Sequence, residues 1–419
     1  MTDREHRYPT HDAWTRREAL AGLGAAGATL ALGSLSAPGW TQQKLAGTEI
    51  KLGVAFPLTG IWSEWGRKNK VALDIAVEEI NAAGGVAGLP IKYAMYETAS
   101  KPPEAAALVR RLATDERALA ILGPFSSSEC EVAFPVGVQL KVAMIAQASS
   151  KPGVGAANRP WGFRMNVDEG RQAQPSVKYW VSHYHIKTAA VVHDVKDAVG
   201  QILGSRVLPA VAKANGVKIV NEGDFVTFQT KDIDFSAQVT KLKTLQFDGL
   251  IFGGAYPDAI TFLKEFRRQG SRQPFTGGNL LMHENFARQT GEAGEGVVAP
   301  TAFNPFSPDP RVQAFVKKFA ERAQAAGLPT TPEFADVNVY DTVHLLADIL
   351  VRKGVTNRPE DLAKDRERIM QGLTETKNVQ GLAGRFGFNK DGDGVKDIYV
   401  MMVKGGKWVQ VDSSPAQAG

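Results

Sequence analysis

Apolar and polar positions alternate along the chain in the two periods that distinguish strands from helices. Short apolar runs typical of buried strands are followed by longer stretches in which apolar residues recur about every three or four positions. The predicted strands are residues 50–56, 90–97, 118–122, 142–146, 188–193, 217–225, 249–253 and 274–276. The predicted helices are residues 68–82, 103–115, 171–183, 201–215, 235–245, 257–269, 312–326 and 333–352. This alternation predicts an α/β fold with parallel sheets flanked by helices.

Two of these strands end in turns that are rich in small hydroxyl residues, at 126–128 and 148–150. A βαβ unit brings the carboxyl ends of its strands to one edge of the sheet, where open α/β sheets bind ligands. Ser126 and Glu129 also have the S-x-x-E spacing of a capping box, and a helix N-terminus attracts a carboxylate or phosphate. The sequence therefore predicts an anion-binding edge. The alternative interpretation is that these serines only cap a helix.

The first residues have the features of an export signal. Residues 15–20, TRREAL, resemble a twin-arginine motif, and the uncharged stretch 19–32 is rich in Ala, Gly and Leu. This apolar run is too short to span a membrane stably. We expect a periplasmic protein that is exported by the twin-arginine route and cleaved between residues 33 and 46.

Charge and motif content exclude several classes of function. The formal net charge of +5 is small, and basic residues are interleaved with acidic ones, so no nucleic-acid partner is expected. Cys130 is the only cysteine, which excludes an intrachain disulfide and a CxxC site. The chain has no GxSxG elbow, no P-loop and no cluster of metal ligands. The sequence therefore predicts a binding protein without catalytic residues, metal or cofactor.

Aromatic residues follow two of the predicted strands. Trp62 and Trp65 lie in the loop LTGIWSEWG after the first strand, and Tyr256 follows the strand 249–253. Two tryptophans so close together in a loop are suited to wall a pocket by stacking and apolar contact. Packing in the core is the alternative role for both.

Five segments, taken in order, resemble a known family over nearly the whole mature chain. They are IKLGVAFPLTGIWSEWG, EEINAAGGVAGLPIKY, ILGPFSSSE with AQASS, LIFGGAYPDAITFLKEFRRQG and VYDTVHLLADIL. They resemble the leucine/isoleucine/valine-binding type of ABC-importer solute receptors, which are type I periplasmic binding proteins. The resemblance implies two Rossmann-like lobes joined by three crossover hinge strands, with the ligand in the cleft between the lobes. The expected division is a signal peptide and linker at 1–45, an N-terminal lobe at 46–168 plus 303–385, a C-terminal lobe at 169–302 plus 386–412, and a tail at 413–419.

The resemblance also implies which residues line the cleft. Ser127 and Ser150, with backbone groups of Ala148 and Ser149, are expected to hold a ligand carboxylate. Trp65 is expected to form an aromatic wall. The matching positions of the second lobe are Val199, Tyr256 and Asn279.

At these second-lobe positions the chain departs from the family pattern. Val199 stands where a tyrosine is usual, and Tyr256 comes one place after the expected aromatic residue. Asn279 replaces the glutamate that pairs with an α-ammonium, and a buried ammonium without a carboxylate is costly. Asp258 or Glu284 could substitute, although neither is at the matching place. The ligand hypotheses left open are an aliphatic amino acid and a small organic acid or amide, including aromatic ones.

The leading interpretation is a monomeric receptor that closes its lobes on a small carboxylate-bearing solute and delivers it to the permease of an ABC importer. The alternative is an extracytoplasmic sensing module that presents the ligand to a signalling receptor. An exported enzyme is disfavoured because the sequence offers no pairing of a nucleophile with a base.

Overall fold

Two mixed β-sheets organise residues 45–416, the part of the chain that the structure, a computed structural model, describes. The predicted export signal lies outside the described residues. Within residues 45–416, none of the helices combines the length and the apolar character that a membrane span requires.

The first sheet combines strands from both ends of the described chain. In spatial order these are Val379–Gly381, Gly384–Phe388, Asp393–Val395, Gly162–Val167, Ala143–Ala146, Ala120–Leu122, Ile50–Phe56 and Ile91–Glu97. The strands from Asp393–Val395 to Ile91–Glu97 run parallel, whereas the first pairings of the series are antiparallel. The helices of this lobe are Ser63–Ala82, Pro102–Thr114, Ser127–Gln139, Pro310–Ala325, Phe334–Arg352 and Leu362–Thr374.

The second sheet forms the other lobe. Its spatial order is Lys407–Ser414, Ile398–Lys404, Val298–Thr301, Phe275–Gly277, Gly249–Gly253, Thr188–Asp194 and Lys218–Ile219, with Val226–Phe228 paired to Thr188–Asp194. All its pairings are parallel except those made by Ile398–Lys404. The helices are Glu169–Tyr184, Ala198–Ile202, Leu208–Ala214, Ser236–Lys243, Tyr256–Arg268 and Glu284–Thr290, with a π turn at Leu203–Val207.

The chain passes between the two sheets three times, as the predicted fold class requires. The passages follow the strands Gly162–Val167, Val298–Thr301 and Asp393–Val395. The expected division differs at the third passage, because it assigned residues 386–412 to the C-terminal lobe. Asp393–Val395 pairs with Gly162–Val167, so the chain leaves the first sheet only after that strand. The strand Lys407–Ser414 also continues past residue 412, where the tail was expected to begin.

One predicted strand, residues 217–225, is wrong in its extent. The structure has two short strands instead, Lys218–Ile219 and Val226–Phe228. Between them the Asn221 side chain takes over the pairing, since its Oδ1 accepts the N–H of Val191 at 2.9 Å and its Nδ2 donates to the Val191 carbonyl at 2.8 Å. An amide side chain that replaces a ladder hydrogen bond interrupts the strand.

Candidate functional site

The turn before the helix Ser127–Gln139 has a backbone that only glycine accommodates at one position. Gly123 has a φ of +109°, and a Cβ there would lie 2.3 Å from the Ala55 carbonyl oxygen. At the helix start, Ser126 Oγ accepts the N–H of Glu129 at 3.3 Å, and Glu129 Oε2 accepts the N–H of Ser126 at 2.9 Å. The predicted capping box is therefore confirmed.

The two serine turns meet at this edge, as the sequence predicts. Ser127 Oγ lies 2.9 Å from Ser149 Oγ, and it accepts the N–H groups of Ser150 and Lys151, both at 3.2 Å. The three serine side chains are buried, and so is Ala148, whose carbonyl oxygen accepts an N–H of the Asn166 amide at 2.9 Å. The edge is thus a buried cluster of hydroxyl and peptide groups at a helix N-terminus.

A carboxylate from the second lobe reaches the same edge. Glu169 is the first residue of the helix Glu169–Tyr184, and its Oε1 accepts the Ser150 hydroxyl at 3.0 Å. Its own N–H donates to the Ser150 carbonyl at 3.0 Å. Burial raises the pKa of the Glu169 carboxyl to about 8, although the Ser150 hydrogen bond opposes the shift. Among residues 45–416, Oε2 of this carboxyl has no hydrogen-bond partner.

An aromatic cluster spans the cleft beside this edge. On the first lobe, the Trp65 ring lies 5.3 Å from that of Trp62 and 6.1 Å from that of Phe125. From the second lobe, Tyr256 contacts Trp65 edge-on at 5.1 Å between ring centroids. Trp65 Nε1 donates to Glu333 Oε2 at 2.6 Å, which satisfies the polar atom of a buried indole. Trp65 is therefore held in place while its ring faces the other lobe.

Tyr256 and His283 carry a polar contact from the second lobe to Glu64 of the first. Their rings stack at 3.9 Å, and the Tyr256 hydroxyl donates to Glu64 Oε1 at 2.8 Å. His283 Nε2 lies 2.6 Å from the same oxygen, and since Nδ1 accepts the N–H of Asn285, Nε2 carries the proton. Burial alone would raise the pKa of Glu64, but His283, Tyr256 and the charge of Lys68 outweigh it and bring the pKa to about 2.

Lys68 anchors the acidic residues behind this contact. Its ammonium is fully buried, 3.1 Å from Glu333 Oε1 and 3.5 Å from Asp336 Oδ2, and it donates to the Thr331 carbonyl at 2.9 Å. Burial raises the pKa of Asp336 to about 6 in spite of the lysine. For Lys68 the two carboxylates outweigh burial and raise the pKa. Glu284 of the second lobe accepts the N–H of Thr331 at 2.8 Å, which adds a further bridge between the lobes.

The remaining predicted residues lie on the second lobe. Val199 is buried in the helix Ala198–Ile202, which packs against the helix Ser127–Gln139 across the cleft. Asn279 is 1% exposed, and neither atom of its amide has a hydrogen-bond partner in the described part of the chain. A Cβ placed on its neighbour Gly278 would lie 3.3 Å from Glu169 Oε2. The backbone at Asn279 therefore passes close to the Glu169 carboxyl.

A sequence model of the periplasmic binding protein family matches residues 49–407 of this chain. The chain belongs to the periplasmic binding protein family. In a periplasmic binding protein the ligand site is the space between the two lobes, and in this structure the contacts of Tyr256 and His283 with Trp65 and Glu64 bridge that space. The resemblance inferred from the sequence is therefore confirmed, together with the two-lobed fold.

Known periplasmic binding proteins similar to this chain come from several bacteria. The leucine-, isoleucine-, valine-, threonine- and alanine-binding protein of Pseudomonas aeruginosa is 26% identical over 362 residues, covering 86% of this chain and 91% of that protein. The structure of LivJ from Streptococcus pneumoniae with isoleucine has 23% identity and a TM-score of 0.74, and covers 87% of this chain and 100% of that one. A solute-binding protein of R. palustris in complex with benzoate has 21% identity and a TM-score of 0.74, and covers 88% of this chain and 98% of that one. At these identities the two structures show a shared fold.

The structure brings some of the predicted site residues of this periplasmic binding protein together and leaves others apart. Trp65 contacts Tyr256, and the serine turns contact one another. Asp258 and Glu284, the two acids considered as substitutes for a glutamate at position 279, instead accept hydrogen bonds from main-chain N–H groups. Asp258 Oδ1 accepts the N–H of Lys231 at 2.8 Å, and Glu284 accepts that of Thr331. The ligand-binding roles of the eight predicted residues stay predictions.

Sequence reasoning missed four polar residues of the cleft: Glu64, Glu169, His283 and Glu333. Glu64 stands between the two tryptophans of the first loop, a position that suggests the same pocket. Glu169 follows the first passage between the lobes, but a first-turn acid is ordinary at a helix N-terminus and gives no other signal. His283 and Glu333 meet only because two distant segments converge across the cleft, with His283 Nε2 at 3.4 Å from Glu333 Oε1.

Proposed function

We propose that this chain is the extracytoplasmic solute receptor of an ABC importer and that it binds a small carboxylate-bearing ligand between its lobes. The ligand carboxylate occupies the edge formed by Ser127, Ser149 and Ser150, with Trp65 and Tyr256 beside it. The loaded receptor delivers its ligand to the permease at the membrane. The observation that carries this proposal is the buried hydroxyl cluster at the capped N-terminus of the helix Ser127–Gln139.

The chemistry of the serine edge favours a carboxylate. The first-turn N–H groups of a helix are unpaired within it and form the positive end of its dipole, which attracts an anion. A serine hydroxyl rotates and can donate to an acceptor, so the contact between the Ser127 and Ser149 hydroxyls can open to admit a ligand oxygen. Because the edge is buried, each such hydrogen bond is stronger than it would be in water.

The ligands named for similar proteins support the same chemistry. The proteins compared above are described with leucine, isoleucine, valine, threonine, alanine or benzoate as ligand. These molecules differ in size, shape and amino group, and all of them carry a carboxylate. A site that recognises the carboxylate from the first lobe and the remainder from the second accounts for this range.

The proposal is tested by thermal unfolding of the mature protein in the presence of amino acids, aromatic acids, dicarboxylates and amides. A ligand at about 100 times its Kd stabilises the fold by about 2.7 kcal/mol, which raises the melting temperature measurably. Removing the two hydroxyls in the double variant Ser127→Ala/Ser150→Ala should weaken binding of the active compound by at least about 10-fold, since a hydrogen bond to a charged group contributes about 1.5–3 kcal/mol.

Ser176→Ala is the matched control. Ser176 is equally buried, and within residues 45–416 its hydroxyl has no hydrogen-bond partner. Its removal should leave affinity for the same compound unchanged. Equal binding by the double variant and the control would contradict the carboxylate role of the serine edge.

Transport is tested separately from binding. Cells that lack this protein should take up the radiolabelled ligand slowly, and a plasmid copy should restore uptake. Unchanged uptake, with loss of a transcriptional or chemotactic response to the ligand, would favour the sensing module instead.

A further inference from the structure

We propose that a cavity beside the second passage between the lobes is a separate binding site for a medium-chain aliphatic carboxylate. The cavity has a volume of about 870 Å³, and ligand sites in proteins occupy about 300–1,000 Å³. The described residues that line it include none of the eight that are predicted to bind the solute. The inference is therefore independent of the proposed function.

Two buried side chains separate this cavity from the aromatic cluster of the solute cleft. His283 and Glu333 form part of the cavity wall, and both also contact Trp65. The ring of His283 lies 5.5 Å from that of Trp65, and Glu333 accepts the indole N–H at 2.6 Å. Trp65 is not among the described residues that line the cavity. A ligand in the cavity would thus lie on the opposite side of His283 and Glu333 from Trp65.

The walls of the cavity suit an apolar body. They come from both lobes and from the chain that follows the strand Val298–Thr301. Phe306 is 59% exposed, so a ligand would cover apolar surface that is otherwise in contact with water. The indole N–H of Trp408 already donates to the His283 carbonyl at 3.0 Å, which leaves the rest of its ring as an apolar wall. The apolar side chains that line the cavity include Met282, Ala287, Phe303, Phe306, Pro332 and Trp408.

Two basic side chains line the same cavity and can meet a carboxylate. Arg288 and Lys407 are both exposed, and the described chain places no carboxylate within ion-pairing distance of either. They are carried by elements that pack against each other, the helix Glu284–Thr290 and the strand Lys407–Ser414. Hydrogen bonds from a guanidinium or an ammonium to a carboxylate are charge-assisted.

The two acidic side chains that line the cavity are already bonded within the protein. Glu284 accepts the N–H groups of Thr330 at 3.3 Å and of Thr331 at 2.8 Å. Glu333 lies 3.1 Å from the ammonium of Lys68. The charges that remain available to a ligand are those of the two basic side chains, so charge complementarity favours an anion over a cation.

The experiment compares two amphipathic molecules of equal chain length and opposite charge. Calorimetry with the mature protein measures the binding of decanoate and of decyltrimethylammonium, both below the concentrations at which they form micelles. We expect one decanoate to bind per protein molecule, at least about 5-fold more tightly than the cation. The double variant Arg288→Gln/Lys407→Gln should weaken decanoate binding at least about 5-fold, because it removes both partners of the carboxylate.

A matched control removes two other lysines of the same lobe. Lys264 and Lys404 are exposed and are not among the described residues that line the cavity. The double variant Lys264→Gln/Lys404→Gln has the same change in net charge and should bind decanoate as the wild type does. Phe306→Ala, at an exposed position where folding should be unaffected, should weaken decanoate binding because it removes part of the apolar wall. Circular dichroism verifies that each variant is folded.

The serine edge distinguishes this site from the solute cleft. Ser127→Ala/Ser150→Ala should bind decanoate with wild-type affinity, because neither serine lines the cavity. If this variant loses decanoate binding, decanoate occupies the solute cleft, and the inference is overturned while the proposed function gains support. The inference is also overturned, with the proposed function unaffected, if decanoate does not bind, if it binds no better than the cation, or if removal of Arg288 and Lys407 changes its affinity no more than the control does.

Discussion

Lys68→Met tests how the buried charges of the first lobe support Trp65. The substitution keeps the length of the side chain and its packing on the helix Ser63–Ala82. It deletes the ammonium that lies 3.1 Å from Glu333 and 3.5 Å from Asp336. Since Glu333 also accepts the Trp65 indole N–H, this position couples the stability of the lobe to the geometry of the cleft.

The expected loss of stability is about 3 kcal/mol at neutral pH. Removing one partner of a buried ion pair costs about 3–5 kcal/mol because the other charge stays buried. Trp65 and Asn69 still donate to Glu333 and Asp336, at 2.6 and 2.8 Å, so the lower end of that range applies. The released Thr331 carbonyl adds the cost of one hydrogen bond.

The pH dependence gives the sharper test. Burial raises the pKa of Asp336 from 3.8 to about 6. A carboxyl whose folded pKa is raised favours folding below its unfolded pKa, and this contribution is lost as pH rises through the folded value. Without Lys68 that loss must grow, so the difference between Lys68→Met and wild type should be largest at about pH 8 and smaller at about pH 5.

Urea unfolding at the two pH values measures the difference. Lys70→Met is the matched control on the same helix, because Lys70 is 40% exposed and pairs with Asp74 at the surface. An exposed pair contributes at most about 1 kcal/mol, so the control should change little at either pH. A loss below about 1 kcal/mol for Lys68→Met, or one that is equal at both pH values, would refute the reasoning.

Three further predictions concern single positions. Glu64→Gln should lower the free energy of unfolding by about 1 kcal/mol at pH 7, a value reduced because Glu64 is 29% exposed. This difference should disappear as pH falls to about 2, because a carboxyl with a lowered folded pKa stabilises the fold above its unfolded pKa of 4.5 and loses that contribution as pH falls through the folded value. Urea midpoints measured across this pH range test the prediction. The Cys130 thiol, buried with a raised pKa, should react with a thiol reagent only after denaturant is added, and rapid labelling in native buffer would contradict its burial. Gly123→Ala should cost about 2 kcal/mol or more and abolish ligand-induced stabilisation, since its Cβ would meet the Ala55 carbonyl, and a wild-type melting curve would contradict this.

Features that depend on local sequence could be predicted, and those that depend on distant pairing could not. The strand Gly249–Gly253 is predicted with its observed bounds because it is a continuous apolar run between turns. The capping box at Ser126 is a spacing of four residues, and the sequence shows it directly. By contrast, Asp393–Val395 is a short strand whose partner is Gly162–Val167. No local sequence pattern indicates a pairing with a segment so far away in the chain.

The same distinction applies to the candidate site. Parallel βαβ topology places Ser127 beside Ser149, so their meeting follows from the order of the elements. The contact of Glu64 with His283 follows from how the lobes meet, which the order of elements leaves undetermined. The departure at Asn279 is visible in the sequence, whereas the burial of Glu169 against Ser150 follows only from the three-dimensional arrangement.

The buried acids of the cleft differ in how their charge is balanced, and this difference determines how each one responds to pH. Glu333 and Asp336 face the ammonium of Lys68, and Glu64 is contacted by His283 and accepts the Tyr256 hydroxyl, so each of these carboxylates has a polar partner within the protein. In the described chain the Oε2 of Glu169 has no such partner, although a buried carboxylate without one is strongly disfavoured. Because burial raises the pKa of Glu169 to about 8, the stability that this group contributes at low pH is lost as pH rises through that value. Glu169→Gln should therefore make the protein more stable than wild type at about pH 9 and change its stability less at about pH 6, as measured by urea unfolding; an equal difference at both pH values would contradict this.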